Sequence, residues 1–187
     1  NIGADIKYGL TKNFTLNVTL NTDFAQAEVD NRIINLTKYE INLPEKRSFF
    51  LESQAYLNYQ VGASTQLFTS RSIGLENDAA VPIIAGVRVT GKQNNLAIGA
   101  LNMQTSDVSS QNIVAQNFTV ARLRKYYGEY GSFYGGIVTN RISTGNNSVS
   151  NQSVGIDAVH NFNEKWMAGF GVATTYDSTV SKTFNSN

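Results

Sequence analysis

Residues 42–53, NLPEKRSFFLES, contain the densest group of side chains suited to polar chemistry. The charged members are Glu45, Lys46, Arg47 and Glu52, and a Phe–Phe pair stands among them. Carboxylates and cations at this spacing can satisfy one another where water is scarce. Further partners for this group are predicted elsewhere in the chain, namely Arg71, Arg88 and Arg122. We therefore predict a structural ionic network, with a gate or a docking surface as the alternative and catalysis as the least favoured use.

The remaining reactive residues predict no metal, cofactor or catalytic site. Asp23, Glu28 and Asp30 offer oxygen ligands, but their spacing differs from that of a twelve-residue calcium loop, which also has a central glycine. The only histidine, His160, ends a predicted strand beside a turn, where packing is the favoured interpretation. The absence of cysteine excludes disulfides, thiolate metal sites and cysteine nucleophiles. We expect neither an enzyme nor a bound cofactor.

The composition is poor in charge. Of the 187 residues, 16% are charged and the formal net charge is +1, whereas about 25% is typical of soluble domains. Near-neutral charge argues against a nucleic-acid partner, which would need a basic face. No apolar run approaches the ~18 residues of a membrane-spanning helix. The chain begins without methionine or a signal peptide, so we expect a fragment of a longer protein.

Apolar and polar residues alternate with period two over much of the chain, which predicts an all-β fold. The stretch FTLNVTL, residues 14–20, alternates throughout, and SVGIDAV and WMAGFGVAT follow the same pattern. About nine strands are predicted in all. Their approximate positions are 3–10, 14–20, 66–73, 82–92, 95–103, 117–126, 131–140, 153–159 and 166–174.

The composition of the two strand faces favours a transmembrane barrel over a soluble sandwich. The polar faces hold mainly Gly, Ser, Thr and Asn, whereas the outward face of a sandwich is usually rich in Lys and Glu. Trp166 and a tyrosine group, Tyr126, Tyr127 and Tyr130, suit the aromatic girdle of a membrane protein. Short turns alternate with long Ser- and Asn-rich loops from residue 82 onward, as in bacterial outer-membrane barrels.

This pattern also predicts a topology. The loops at 103–116 and 141–152 should lie on one side, opposite the turns at 92–95, 127–131 and 161–164. The strand at 82–92 is predicted to run from the side of the long loops toward the side of the short turns. The element before it, 66–73, must then be a strand that runs the opposite way. Residues 21–65 are then an inner plug or a periplasmic rim segment. In the last two strands we expect six residues to face lipid, namely Val154, Ile156, Ala158, Trp166, Phe170 and Val172. Asp157 and the glycines Gly155, Gly169 and Gly171 should face inward.

Three blocks of residues also resemble a known family. They are Asn21, Asp23, Phe24, Gln26, Glu28 and Asp30; Asn35, Leu36, Thr37, Tyr39 and Glu40; and Pro44–Glu52. The stretch 13–53 resembles an uncharacterised outer-membrane β-barrel family that is abundant in Bacteroidota, and the likeness extends over about 3–140. Its members often have proline where this chain has Ser48. They commonly carry a family-nine-like carbohydrate-binding module before the barrel.

The expected protein is therefore the N-terminal part of an antiparallel outer-membrane barrel, with residues 1–187 forming one partial barrel domain. Its open edges must pair with further strands, because unpaired edges are not viable in lipid. The resemblance implies an envelope component in the bacterial outer membrane that anchors a glycan-binding part or joins a larger complex. Expected partners are membrane lipid and other envelope proteins or glycans. A plugged transport channel and a soluble lectin-like or hydrolytic β-domain are the alternatives.

Overall fold

The computed structural model describes residues 3–22, 45–61, 65–76, 79–144 and 149–178. These residues form an all-β, antiparallel fold with one α-helix. The elements in chain order are β1 (Ala4–Gly9), β2 (Phe14–Thr22), α1 (Ser48–Leu57), β3 (Gln60–Val61), β4 (Thr65–Gln66), β5 (Leu75–Glu76), β6 (Ala79–Ala80), β7 (Ile83–Gln93), β8 (Leu96–Thr105), β9 (Gln116–Tyr127), β10 (Ser132–Ser143), β11 (Ser150–Asn161) and β12 (Met167–Asp177). The alternating pattern thus correctly predicted an all-β chain.

Eight strands form one sheet in the order β1-β2-β7-β8-β9-β10-β11-β12. Every neighbouring pair is antiparallel. Within the described residues this sheet is open, since β1 and β12 are its edges and do not pair with each other. About nine strands were predicted, and among the described residues the main sheet has eight.

The predicted strand at 66–73 is wrong. Only Thr65–Gln66 is extended, and it pairs with β3, while Ser70–Ser72 form a 3-10 turn. The Ser72 hydroxyl donates to the carbonyl of Thr69 at 2.7 Å, which favours a local turn over a sheet ladder. β2 instead pairs directly with β7, with Phe14 opposite Gly91 and Thr22 opposite Ile83.

This direct pairing also corrects the predicted path of the early chain. β2 ends beside the start of β7, so the chain between them leaves and re-enters the sheet at the same edge as the connections after β8 and β10. We name this edge the long-loop end and the opposite edge the hairpin end. The prediction that the chain leaves the sheet at the hairpin end after β2 is therefore wrong, because it needed a strand at 66–73. The prediction of 21–65 as an inner plug or rim segment is a separate one, and residues 23–44 of that segment lie outside the described residues. From residue 82 onward the long loops and the short turns lie at opposite edges of the sheet, as predicted.

Tight turns at the hairpin end follow from residues that tolerate left-handed backbone. Asn94 and Asn95, which join β7 to β8, have φ angles of 48° and 65°. Gly128 and Gly131 both have φ of 69° in the turn between β9 and β10. The two consecutive positive φ angles of Asn94 and Asn95 match the right-handed twist of a hairpin, so this turn holds β7 and β8 in register.

One face of the sheet, the inner face, is covered by α1 and the segment after it. We name residues 45–61 and 65–76 the strap. Its apolar side chains pack on the middle strands, and the opposite, outer face has no covering element among the described residues. The buried core consists of Phe49, Phe50, Leu57, Tyr59, Ile73, Ile83, Leu101, Met103, Phe118, Val120 and Ile137. The strap therefore provides five of the eleven residues of the core in the described part of the chain.

Candidate functional site

The two faces of the sheet differ strongly in charge. The eight long strands contain ten Asp, Lys and Arg residues, and the strand registers place nine of them on the inner face. These nine are Asp5, Lys7, Arg88, Lys92, Arg122, Arg124, Arg141, Asp157 and Asp177. The tenth, Lys125, lies near the hairpin end and donates to the carbonyl of Asn94 at 2.9 Å. Nine of the ten charges thus lie on the face that the strap covers, and Lys125 is on the outer face.

Arg47 fastens the start of the strap to its later part. Its guanidinium forms a two-pronged ion pair with Glu45, with Nη2–Oε2 at 2.7 Å and Nε–Oε1 at 2.8 Å. It also donates to the carbonyls of Ile73 at 2.6 Å and Ser70 at 2.8 Å. Only 8% of Arg47 is exposed, and the guanidinium stacks on the ring of Phe50 at 4.2 Å. A buried, fully bonded arginine of this kind is a structural tie.

Glu45 is held as a carboxylate by these contacts. Burial alone would raise the pKa of Glu45, but the hydrogen bonds from Arg47 and from the Ser70 hydroxyl, the latter at 2.6 Å, lower its pKa to about 2. Because the folded state keeps the charged form, this carboxylate contributes stability above its ordinary pKa of 4.5.

A second ionic group joins α1 to the sheet. Glu52 accepts from Lys7 at 3.1 Å and from Arg88 at 2.6 Å, and these bonds lower the pKa of Glu52. Arg88 is 1% exposed and also donates to the carbonyl of Phe49. At the other end of the helix Arg124 donates to the carbonyl of Ala55, where the helix dipole favours a cation.

A third ion pair, between Arg122 and Asp157, lies inside the sheet itself at 2.5 Å. Both residues are buried, with 2% and 8% exposed. Beside them Tyr59 is fully buried, and its hydroxyl donates to the carbonyls of Val172 at 3.0 Å and Ile156 at 3.2 Å. Burial, followed by the nearby charge of Asp157, raises the pKa of Tyr59. The strap is therefore tied to β11 and β12 as well as to β7.

The structure divides the predicted ionic network into separate groups. Glu45 and Arg47 form one group, and Glu52 and Arg88 belong to another. Lys46 is exposed. Arg71 lies in the 3-10 turn, and Arg71 and Glu45 both line a cavity of about 210 Å³. Arg122 pairs with Asp157 rather than with the strap carboxylates.

The acidic residues weighed for calcium, Asp23, Glu28 and Asp30, lie outside the described residues. Within the described ranges no group of three or more His, Asp or Glu side chains could hold a metal ion.

The outer face is apolar, exposed and free of charge in its central part. One row of directly paired residues crosses all eight strands and contains Tyr8, Leu16, Val89, Ala100, Ala121, Val138, Val154 and Thr174. In the last two strands Ile156 is 55% exposed and Phe170 65%, whereas Asp157 lies on the opposite face. The alternation predicted for β11 and β12 is confirmed.

Aromatic side chains gather where this outer face meets the hairpin end. Tyr127 stacks against His160 with 6.0 Å between ring centroids, and its hydroxyl lies 3.2 Å from His160 Nδ1. Phe162 contacts His160 edge-on at 4.6 Å, and Trp166 is 72% exposed nearby in the last turn. Tyr126, by contrast, faces inward beneath Lys92. Histidine thus serves as an aromatic packing partner here.

These features define a class of protein: an open antiparallel β-sheet with a charged face tied to a helical strap and an uncharged apolar face. Residues 1–154 match the family model described as a domain of unknown function, DUF5916, and the chain belongs to that family. Comparison with curated proteins found no match, and comparison with solved structures found none. None of the helices in the described ranges is long and apolar enough to span a membrane.

Proposed function

We propose that the sheet is part of the wall of a transmembrane β-barrel in the bacterial outer membrane, with lipid against its outer face and the strap inside. The observation that carries this proposal is the uncharged, exposed band that crosses all eight strands. Soluble proteins rarely expose a continuous apolar patch of more than a few hundred Å². A barrel wall requires this arrangement, with apolar side chains outward and polar ones inward.

The direction of the band gives further support. On β2 its apolar residues run from Phe14 to Leu20, whereas on β12 they run from Trp166 to Val172. Followed through the registers, the centre of the band moves about six residues toward the hairpin end over six strand steps; at ~3.3 Å per residue and ~4.8 Å per step, the strands tilt by about 35°. Barrel strands cross membranes at about 35–45°.

The height of the band also suits a membrane. Seven residues of β2 cover ~23 Å along the strand, which is about 19 Å along the membrane normal after tilting and approaches the ~25 Å of an outer-membrane barrel. A docking surface for a single protein partner gives no reason for a band that crosses the strands obliquely.

Closure of such a barrel requires partners for β1 and β12, since open edges cannot face lipid. We propose that further strands of a longer chain supply them. The protein would act as an envelope component that anchors a glycan-binding part or joins a larger outer-membrane complex; this role rests on the family resemblance of residues 13–53.

A plugged transport channel is the second candidate function. The position of the strap favours it, because α1 lies over β7, β8 and β9 on the face that would line the lumen. Ion pairs such as Glu52–Arg88 would hold the plug, and half of the Glu52 side chain stays accessible.

Flotation with lipid vesicles tests the proposed membrane wall. The chain, refolded from urea in the presence of phosphatidylcholine vesicles, should float with them through a density gradient and stay bound after an alkaline carbonate wash. Without vesicles or detergent it should aggregate, because the outer face is uncovered. A monomer that stays soluble and folded in detergent-free buffer would instead favour the lectin-like or hydrolytic β-domain.

A further inference from the structure

Polar side chains form a second ordered row on the outer face, at the long-loop end of the band. Five residues on five neighbouring strands lie directly opposite one another. We name them the amide row: Asn102, Thr119, Asn140, Gln152 and Tyr176. Four strand steps of ~4.8 Å give the row a length of about 19 Å. The row follows immediately after the apolar row that contains Val138 and Val154.

The β8–β9 half of the row is fixed by its own hydrogen bonds. The Asn102 amide donates to Asn117 Oδ1 at 2.9 Å and to the Thr119 hydroxyl at 2.8 Å. Asn117 in turn donates to Gln104 Oε1 at 3.1 Å. These side chains are therefore held in place and form a rigid border.

The other half of the row has free hydrogen-bonding groups. Within the described residues, the side chains of Gln152 and Tyr176 make no hydrogen bond, and Asn140 Oδ1 is buried without a partner. Tyr176 is 55% exposed and stands beside Gln152. The exposed Gln152 amide and the Tyr176 ring and hydroxyl thus lie together without a charged residue in the row, whereas Asn140 Oδ1 is buried.

We propose that this half of the row binds the sugar headgroup of a glycolipid in the membrane leaflet next to the long-loop end. The inference rests on the proposed membrane wall and adds a lipid class to it. Sugar hydroxyls donate and accept hydrogen bonds, and amides match both roles. The Tyr176 ring offers an apolar surface with a polar edge, suited to a sugar ring at a membrane interface. A phosphate-directed site would instead need Arg or Lys, and the row has neither.

Binding of a defined glycolipid to the protein in nanodiscs tests this inference. The probes are lipid A that carries core sugars and, as the sugar-free comparison, phosphatidylglycerol, each counted on the protein by native mass spectrometry. We expect the glycolipid to bind about ten-fold more tightly than phosphatidylglycerol. Gln152→Leu combined with Tyr176→Leu should remove about ten-fold of that affinity, as the loss of two hydrogen-bonding groups implies. Gln93→Leu is the matched control, because Gln93 is exposed on the same face at the hairpin end.

The outcomes separate the two proposals. The sugar site is overturned if the parent chain enters nanodiscs but shows no preference for the glycolipid. It is also overturned if the parent and the double variant bind the glycolipid equally. Either outcome leaves the proposed membrane wall intact. Failure of the parent chain to enter any bilayer overturns both. Loss of binding in Gln93→Leu as well would show that the effect is not located at the amide row.

Discussion

Replacement of Arg47 by alanine is expected to lower the free energy of unfolding by about 3–5 kcal/mol at neutral pH, the usual cost of leaving a buried charge without its partner. The Glu45 carboxylate, with 5% of its side chain exposed, would lose its two-pronged ion pair. The carbonyls of Ser70 and Ile73 would lose their donor at the same time. Urea unfolding in detergent micelles, followed by far-ultraviolet circular dichroism, measures the change.

Arg141→Ala is the matched control for this experiment. Arg141 is also an inner-face arginine, but it is exposed, and the described residues give it no ion pair or hydrogen bond through its side chain. Its removal should change the free energy of unfolding by less than about 0.5 kcal/mol. Equal effects of the two substitutions would show that Arg47 is not a structural tie.

The Arg47→Ala variant should also respond differently to acid. The pKa of Glu45 is about 2 in the folded chain and 4.5 ordinarily, so its contribution is complete above pH 4.5 and falls as the pH drops toward 2. The depressed pKa corresponds to about 3 kcal/mol. Arg47→Ala removes the cause of the depression, so the stability gap between parent and variant should narrow over this pH range.

Replacement of Gly155 by valine is expected to detach the strap from β11. A Cβ atom at this position would lie 2.7 Å from Leu67 and 2.8 Å from the Tyr59 ring carbon and hydroxyl. Tyr59 is fully buried, so the ring must move and lose its bonds to the carbonyls of Ile156 and Val172. Overpacking and the lost hydrogen bonds together should cost about 3 kcal/mol.

Gly136→Val provides the control on the other face of the same sheet. Its Cβ would meet only Gly155 O at 3.4 Å and Ile156 Cγ2 at 3.8 Å, which leaves room for a side chain on the apolar band. Thermal unfolding in micelles should show a clear drop in the melting temperature for Gly155→Val and little change for Gly136→Val. A similar drop for both would mean that backbone freedom, rather than contact with Tyr59, requires glycine at 155.

Strand positions after residue 82 were predictable from sequence because their alternation is strong and their turns are short. Asp157 was placed on the inner face by period two alone, since a shift of one residue would put it on the outer face and its apolar neighbours Val154 and Ile156 on the charged inner face. Its pairing with Arg122 was not predictable. That contact depends on the register of β9, β10 and β11 together, which no local pattern specifies.

The strap was harder to predict. The helix Ser48–Leu57 lacks a side-chain N-cap, and its apolar residues do not form a clean stripe, so its identity depends on packing against the sheet. Residues 66–73 alternate weakly, and their serines favour turns. Once that segment is no longer counted as a strand, the expected direction of β1 and β2 reverses, which explains why the chain leaves β2 at the long-loop end.

The most direct test of the proposed membrane wall is the accessibility of spin labels placed singly along β2, β11 and β12 in a bilayer. Labels at Val154, Ile156 and Ala158 should collide with oxygen far more than with a water-soluble nickel chelate, and labels at Ser153 and Asp157 should not. The deepest label should lie near Val18 on β2 and near Phe170 on β12, as an oblique band requires. The proposed membrane wall would be contradicted if the nickel chelate reached a label at Ile156 freely. It would also be contradicted if the deepest labels on β2 and β12 lay in one row of directly paired residues.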